Sequence, residues 1–511
     1  MTEILDTTLR DGEQTASVSF NVHEKLAIAQ LLLDDLKVDR IEVASARVSK
    51  GEQESFRAIC AWAAERGCLD RVEALGFVDG GVSVDWIADG GGRVLNLLAK
   101  GSLRHLTKQL RKTPSEHIAD IRLVVEKALS RGIRTNLYLE DWSNGIASSP
   151  EYVFELVDAL LQLPIGHFML PDTLGVLNPW DVERYCTLMM QRYPDLCFDF
   201  HAHNDYGLAV ANTLAAAKVG ISCVHTTVNG LGERSGNASI ASVIAGLNDQ
   251  IHSENHVDES RLTHVCKYVE SISGIRIPDN EPVVGENVFT QSSGVHADGD
   301  SKDDLYANPL LPQRFGRKRT YALGKMSGKA NIIRNLDSLG IRLTPDQVKL
   351  VTQRVVELGD KKEAMTAEDL PFIIADVLKS AHSAAQDNIH IVNYSLQLAR
   401  GMRPVAVVKV SIHGSEYEES SSGDGQYDAV MKALWKIYEK LGKTHPVLAD
   451  YQVTIPPGGK TDALVATTIS WRSGDSEFKT RGIDSDQTEA AIKATVKMLN
   501  IMENMDISYL K

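Results

Sequence analysis

At 511 residues, 43% hydrophobic and 24% charged, the chain is longer than one hydrophobic core usually serves, so two or three domains are expected. Its formal net charge of −14 argues against a general nucleic-acid or anionic-membrane surface, so an anionic substrate has to be met by local positive charge. Six cysteines lack C-x-x-C spacing, the start MTEILDTTLRD lacks the features of a signal peptide, and no apolar run reaches about 18 residues; the expectation is a reducing, cytosolic compartment with no membrane span.

Along the first half, short apolar or β-branched runs alternate with longer amphipathic stretches such as HEKLAIAQLLLDDL. The runs are EILDTTL (3–9), DRIEVAS (39–45), RVEALGFV (71–78), RVLNLLA (93–99), RTNLYLE (134–140), HFMLPDT (167–173), CFDFHAH (197–203) and CVHTTVN (223–229). Eight such strands, with helical patterns between them, match an α/β (β/α)8 TIM barrel in number and size and assign residues 1–262 to it. Residues 263–388 are helical with polar inserts and read as linker subdomains, closing on the small polar hinge AHSAAQDN (381–388). Beyond it the hydrophobic period falls to 2, in VKVSI and LVATTISW, and amphipathic helices DAVMKALWKIYEKLG and DQTEAAIKATVKMLNIM follow. Residues 389–511 are therefore expected to form a separate α+β domain without a catalytic set of its own.

A barrel of this kind carries its chemistry at the carboxyl ends of its strands. There stand Arg10 and Asp11, Glu140, Asp172 and Thr173, His201 and His203 in FDFHAHND, then Asn229 and the loop GLGERSGN with Asn237. Side chains two apart on a strand share a face, so both imidazoles point the same way. They read either as a hydrogen-bonded pair or as metal ligands. The company of Asp11 favours a metal, in an open oxygen–nitrogen site to which Asn237 can add a carbonyl oxygen. A divalent ion there (manganese, zinc or magnesium) would chelate a 2-oxo acid and polarise its carbonyl, with Arg10 donating to the oxyanion; Arg10 reads otherwise as a structural ion pair. Glu140 follows the apolar LYL and is expected to be partly desolvated, with a raised pKa suited to moving a proton on carbon, or else to orient Arg10 or a ligand. Two glycine-rich motifs fail. In GLGERSGN the third glycine of a dinucleotide fingerprint falls on Ser235, and GKMSGKA is one residue short of a P-loop, with Ala330 in place of Ser or Thr. The basic cluster Arg314, Arg317, Lys318, Arg319 reads as an anion contact or as a surface or interface patch.

LDTTLRDGEQ, HAHNDYGLAVAN and NGLGERSGN, in that order, resemble the signatures of the acyl-CoA-condensing branch of the DRE-TIM metallolyases, the isopropylmalate, homocitrate and citramalate synthases. GVHADGD, YANP and IPPGGKTDALV extend the resemblance through the linker and a C-terminal regulatory domain. It implies that Asp11, His201 and His203 are metal ligands with Asn237 a weaker fourth, that Arg10 polarises the keto acid, that Thr173 binds its carboxylate and that Glu140 is a catalytic carboxylate. Gln14 would lie near the keto acid or thioester and Phe77 near the coenzyme A side. His296 and Tyr306 would reach into the partner subunit's barrel, in a homodimer with shared active sites. The implied reaction is a Claisen condensation of acetyl-CoA with a 2-oxo acid.

Leu75, Leu98 and Tyr138 fall where this family lines the pocket for the keto acid's side chain, although they also read as barrel core. Isopropylmalate synthases generally have smaller or more polar groups at the last two positions. The resemblance therefore implies pyruvate and a citramalate product, in isoleucine biosynthesis under feedback inhibition, with 2-oxoisovalerate and 2-isopropylmalate as the alternative. Overpacking against the larger group is worth about 1–3 kcal/mol. A carbon–carbon lyase on the same barrel is a further reading, but such lyases generally lack a counterpart of residues 389–511. In that domain Tyr427, Asp428, Leu448, Tyr451, Ile455, Val465 and Gln487 match positions around an effector pocket for a branched-chain amino acid, and Ser485 stands where relatives carry a proline.

Overall fold

The structure, a computed structural model, describes residues 1–300, 305–339, 341–360, 365, 369–370, 373–374, 377, 389–454, 465–474 and 476–505. Eight parallel strands close into a barrel in chain order: β1 (Glu3–Asp6), β2 (Arg40–Ser45), β3 (Val72–Phe77), β4 (Val94–Lys100), β5 (Arg134–Glu140), β6 (Ile165–Asp172), β7 (Phe198–Ala202) and β8 (Cys223–Thr226), which pairs with β1. All eight expected strands are present, and their ends differ where side chains interrupt the ladder. β1 stops at Asp6 because the Thr8 amide turns back onto Asp6 Oδ1 at 2.9 Å, which leaves Arg10 and Asp11 in a turn before the short helix Gly12–Gln14. β7 stops at Ala202, and His203 instead bridges to Asn237.

The period-2 alternation sorts the barrel's two faces. Outward residues such as Val43, Leu97, Leu137, Leu139, Phe168 and Phe200 are buried in one large core under the helices, each contributing about 1.5–3 kcal/mol of burial. Inward residues form an apolar layer of Leu5, Leu75, Tyr138, Met169 and Cys223, with Leu98 packed against it. A polar set also lies inside: Asn96 Nδ2 donates to Glu42 and Glu73 (2.7 and 2.9 Å), Asn136 donates to Asn96, and Arg40 bridges Glu73 and Asp199. Buried charges persist there because each is paired.

The first compact unit does not end at residue 262. Helix Leu262–Ser273 buries Leu262, Val265, Cys266 and Val269 in the barrel's core, and the unit comprises Met1–Phe289 and Asn308–Lys318. Within it Arg314 is bound to Glu259 and Asp249, and Arg317 donates to the Gly285 and Glu286 carbonyls. Those two members of the basic cluster are thus engaged in pinning segment 308–318.

The second unit comprises Thr290–Ala307 and Arg319–Lys511. Strands β9 (Thr290–Gln291) and β10 (Thr320–Tyr321) pair in parallel, and helices Lys329–Ser338 and Pro345–Asp360 share a core that includes Ile332, Leu336, Val348, Val351 and Val355. The expected hinge at 381–388 lies outside the described residues. The C-terminal part is two consecutive βββα halves. Antiparallel β11 (Ile389–Gln397), β12 (Val405–Ile412) and β13 (Ser415–Ser422) precede helix Gln426–Lys440. In the second half β14 (Val447–Thr454), β15 (Val465–Ser473) and β16 (Ser476–Asp484) precede helix Gln487–Met505. Val430, Leu434 and Ile437 are buried, as their helical spacing requires. No helix among the described residues is long and apolar enough to cross a membrane.

Candidate active site

The turn after β1, the end of β7 and the loop after β8 bring Asp11, His201, His203 and Asn237 together, each between 1% and 7% exposed. His201 Nε2 lies 3.0 Å and His203 Nε2 3.7 Å from Asp11 Oδ2, and the two Nε2 atoms are 3.4 Å apart. Asn237 Nδ2 sits 3.0 Å from Asp11 Oδ2 and 3.1 Å from His201 Nε2. Rotating that amide by 180° would bring its oxygen to the same place. Burial opposes charge on Asp11, but Arg10, His201 and His203 outweigh it and hold the carboxyl well below its usual range. Burial pushes His203 down to about 4 and His201 below the ordinary imidazole value, so both rings are neutral near pH 7, the form that ligates.

Three lone-pair atoms facing one another across so short a gap suit a shared divalent cation. The ligand atoms of Asp11, His201 and His203 lie within 4.8 Å of one another, and Asp11 Oδ1 and Asn237 Oδ1 are buried without a hydrogen-bond partner.

Arg10 stands beside this cluster. Its Nη1 is 3.4 Å from Asp11 Oδ1, its Nε donates to Glu42, and its Nη2 donates to the Tyr138 hydroxyl at 3.3 Å. The ion pair and the neighbouring site therefore coexist: Glu42 fixes the guanidinium while leaving it against Asp11. Tyr138 is 2% exposed, with its ring between the apolar layer of Leu75 and Leu98 and the polar groups above it, and its hydroxyl 3.1 Å from His225 Nδ1. Thr173 Oγ1 accepts from the Asp141 amide (2.9 Å), which leaves its hydrogen free to donate. Asp172 is used locally, accepting from the Val176 and Leu177 amides. Phe77 is half-buried beside Leu98 in register, and Gln14 is exposed.

Glu140 is partly buried at the end of β5, where strand register sets it opposite Lys100, and the two form an ion pair. Lys100, Glu42, Asp199 and His225 were all missed as site neighbours. Each carried a weak signal, an ionisable residue at an inward position of an otherwise apolar run, but its partner lies on another strand.

His296 and Tyr306 belong to the second unit, where their rings lie 4.3 Å apart and both are exposed. In the C-terminal part, a cavity of about 650 Å³ is lined by Tyr427, Asp428, Leu448, Tyr451 and Gln487 among others. The Tyr427 ring lies tilted against Tyr451, centroids 5.3 Å apart, and its hydroxyl hydrogen-bonds Thr495 at 2.6 Å. Val465 is buried on β15 and does not line the cavity; Ile455 lies outside the described residues.

Three family models match in succession: HMGL-like over residues 1–269, the homocitrate synthase post-HMGL domain-like family over 283–363, and the LeuA allosteric (dimerisation) domain over 364–503. The (R)-citramalate synthase CimA of Methanocaldococcus jannaschii is 31% identical over 506 residues, 99% of this chain and 100% of that protein. The 2-isopropylmalate synthase of the same organism is 32% identical over 504 residues, 97% of this chain and 94% of that protein. Overall identity therefore does not separate the two kinds. With its barrel, its buried Asp–His–His cluster and full-length relatives among the citramalate and 2-isopropylmalate synthases, the chain belongs to the HMGL-like family and carries a LeuA allosteric (dimerisation) domain.

Proposed function

We propose that the chain condenses acetyl-CoA, pyruvate and water to (R)-citramalate and CoA, as a cytosolic homodimer of isoleucine biosynthesis under feedback control. A divalent ion held by Asp11, His201 and His203, with Asn237 as a weaker fourth ligand, would supply Lewis-acid polarisation of the keto carbonyl. Arg10 directs N–H groups beside Asp11 and donates to the keto oxygen as negative charge develops on it, and its Glu42 pair keeps that orientation fixed before reaction. The Thr173 hydroxyl, already accepting from an amide, turns its hydrogen to the substrate carboxylate. Glu140, held by Lys100, faces the same side of β5 as Tyr138 and serves the proton chemistry at the thioester's methyl carbon. His296 and Tyr306, adjacent and exposed, are the groups a partner subunit would add. A proton leaves the methyl group for the Glu140 carboxylate, that carbon bonds to the keto carbon as the carbonyl pair moves onto oxygen and is protonated, and water cleaves the thioester to a carboxylate and the CoA thiol.

The choice of pyruvate rests on one observation: the Tyr138 ring, with Leu75 and Leu98, fills the barrel interior beneath Arg10, leaving an apolar wall suited to a methyl group. The equal similarity to a 2-isopropylmalate synthase keeps 2-oxoisovalerate as the second reading. The cavity at Tyr427 and Asp428 is read as the effector site, with isoleucine as its ligand. Thiol release from acetyl-CoA, measured with pyruvate, 2-oxobutyrate, 2-oxoisovalerate and glyoxylate, tests the proposal. Pyruvate should be strongly preferred; 2-oxoisovalerate as the best substrate would replace it with the second reading.

A further inference from the structure

His201 can ligate through Nε2 only when its ring proton sits on Nδ1. That Nδ1 lies 3.3 Å from Nδ1 of His225, which is 1% exposed on β8. Two neutral ring nitrogens at that distance must be one donor and one acceptor. The choice is made on the far side of His225, where Nε2 lies 3.2 Å from Asp199 Oδ2. Asp199 is fully buried, yet Arg40 Nη2 at 2.6 Å from the same oxygen keeps it ionised, and its other oxygen contacts His167 Nδ1 at 2.7 Å. An ionised carboxylate only accepts, so His225 carries its proton on Nε2 and presents a lone pair on Nδ1. The Tyr138 hydroxyl, which accepts from Arg10, lies 3.1 Å from the same Nδ1.

We propose that His225, locked in one tautomer by Asp199, is a positioning residue that keeps the His201 proton on Nδ1 and so holds the Nε2 lone pair ready for the metal. Outer partners of ligating histidines commonly act this way. Asp199, Cys223 and His225 also group as a possible second ligand set. The Arg40 guanidinium against Asp199 supplies the positive charge a second ion would bring, so this group serves the first site.

The inference rests on the metal reading, and the test separates the two. Metal-stripped full-length protein is titrated calorimetrically with Mn2+ in four forms: wild type, Asp11→Ala, His225→Asn and His225→Gln. An Asn amide oxygen can stand near the Nδ1 position and accept from His201, whereas a Gln amide reaches the Nε2 position and leaves Nδ1 unreplaced. The dissociation constant should rise about 10- to 100-fold in His225→Gln and stay within about threefold of wild type in His225→Asn, with similar melting temperatures for the metal-free variants. Asp11→Ala should bind no Mn2+ at the site. A wild-type affinity in His225→Gln, or equal weakening in both variants, overturns the positioning role while leaving the metal site standing. Absence of Asp11-dependent binding in the wild type overturns the metal reading and this inference with it.

Discussion

The barrel mouth and the C-terminal cavity are both suited to small molecules, yet they are built by opposite means. At the mouth, Asp11, His201, His203 and Asn237 are buried and hold one another, Arg10 is held by Glu42, and Glu140 by Lys100. Removing Glu42 from its buried pair with Arg10 would leave an uncompensated charge, at a cost of about 3–5 kcal/mol, so the arrangement is stiff. The cavity is lined by half-buried Tyr427, Asp428 and Tyr451 and by exposed Leu448 and Gln487, drawn from two helix starts and β14. Their charged member, Asp428, pairs with Lys432 at the surface, both side chains partly exposed. On the proposed function, preorganised charge serves bond making at the mouth, and the half-exposed cavity serves sensing by differential affinity.

The largest effect should come at the stiff site. His203→Ala should lower turnover by at least about 10³-fold and abolish Mn2+ uptake while the protein remains folded, read by thiol release and metal analysis. Arg10→Lys keeps the charge but loses the fixed fork of donors, and should lower kcat by about 10²- to 10³-fold with metal content unchanged. Tyr138→Ala should reduce the preference for pyruvate over 2-oxoisovalerate by about 10-fold or more, again with metal retained; equal metal loss would make Tyr138 a structural support instead. Asp428→Asn in the cavity should weaken inhibition by isoleucine by about 5-fold or more and leave kcat unchanged, so a fall in kcat without effector would erase the contrast between the two regions.

The smallest effect concerns the scaffold under Glu140. Buried His117 accepts from the Lys100 amide at 3.0 Å, and burial pushes its pKa down to about 4. The unfolded ring protonates near about 6.5, so between these values the unfolded state binds more protons and stability falls as pH drops through that window. His117→Gln offers an amide oxygen that does not titrate, and its melting temperature should vary less between pH 6.5 and 4 than that of the wild type, a difference of up to about 3 kcal/mol.

The eight strands were legible because apolar runs of strand length recur with helical stretches between them. Their exact ends were not, because Asp6 and the His203–Asn237 bridge end β1 and β7 through side-chain and cross-loop contacts. Asp11, His201 and His203 stood out by residue type and spacing. The partners that orient them did not: Glu42 and Lys100 meet Arg10 and Glu140 only across strands, and Asp199 reaches His225 only when the barrel sets β7 beside β8. The cavity carries no periodic signal, since Tyr427, Leu448 and Gln487 converge from segments far apart in the chain, and only the resemblance named them.

The most direct measurement is anomalous diffraction from crystals grown with abundant Mn2+. The account predicts one strong peak within coordination distance of Asp11 Oδ2, His201 Nε2 and His203 Nε2. A map with no peak there, and with the three side chains turned away from one another, would contradict it.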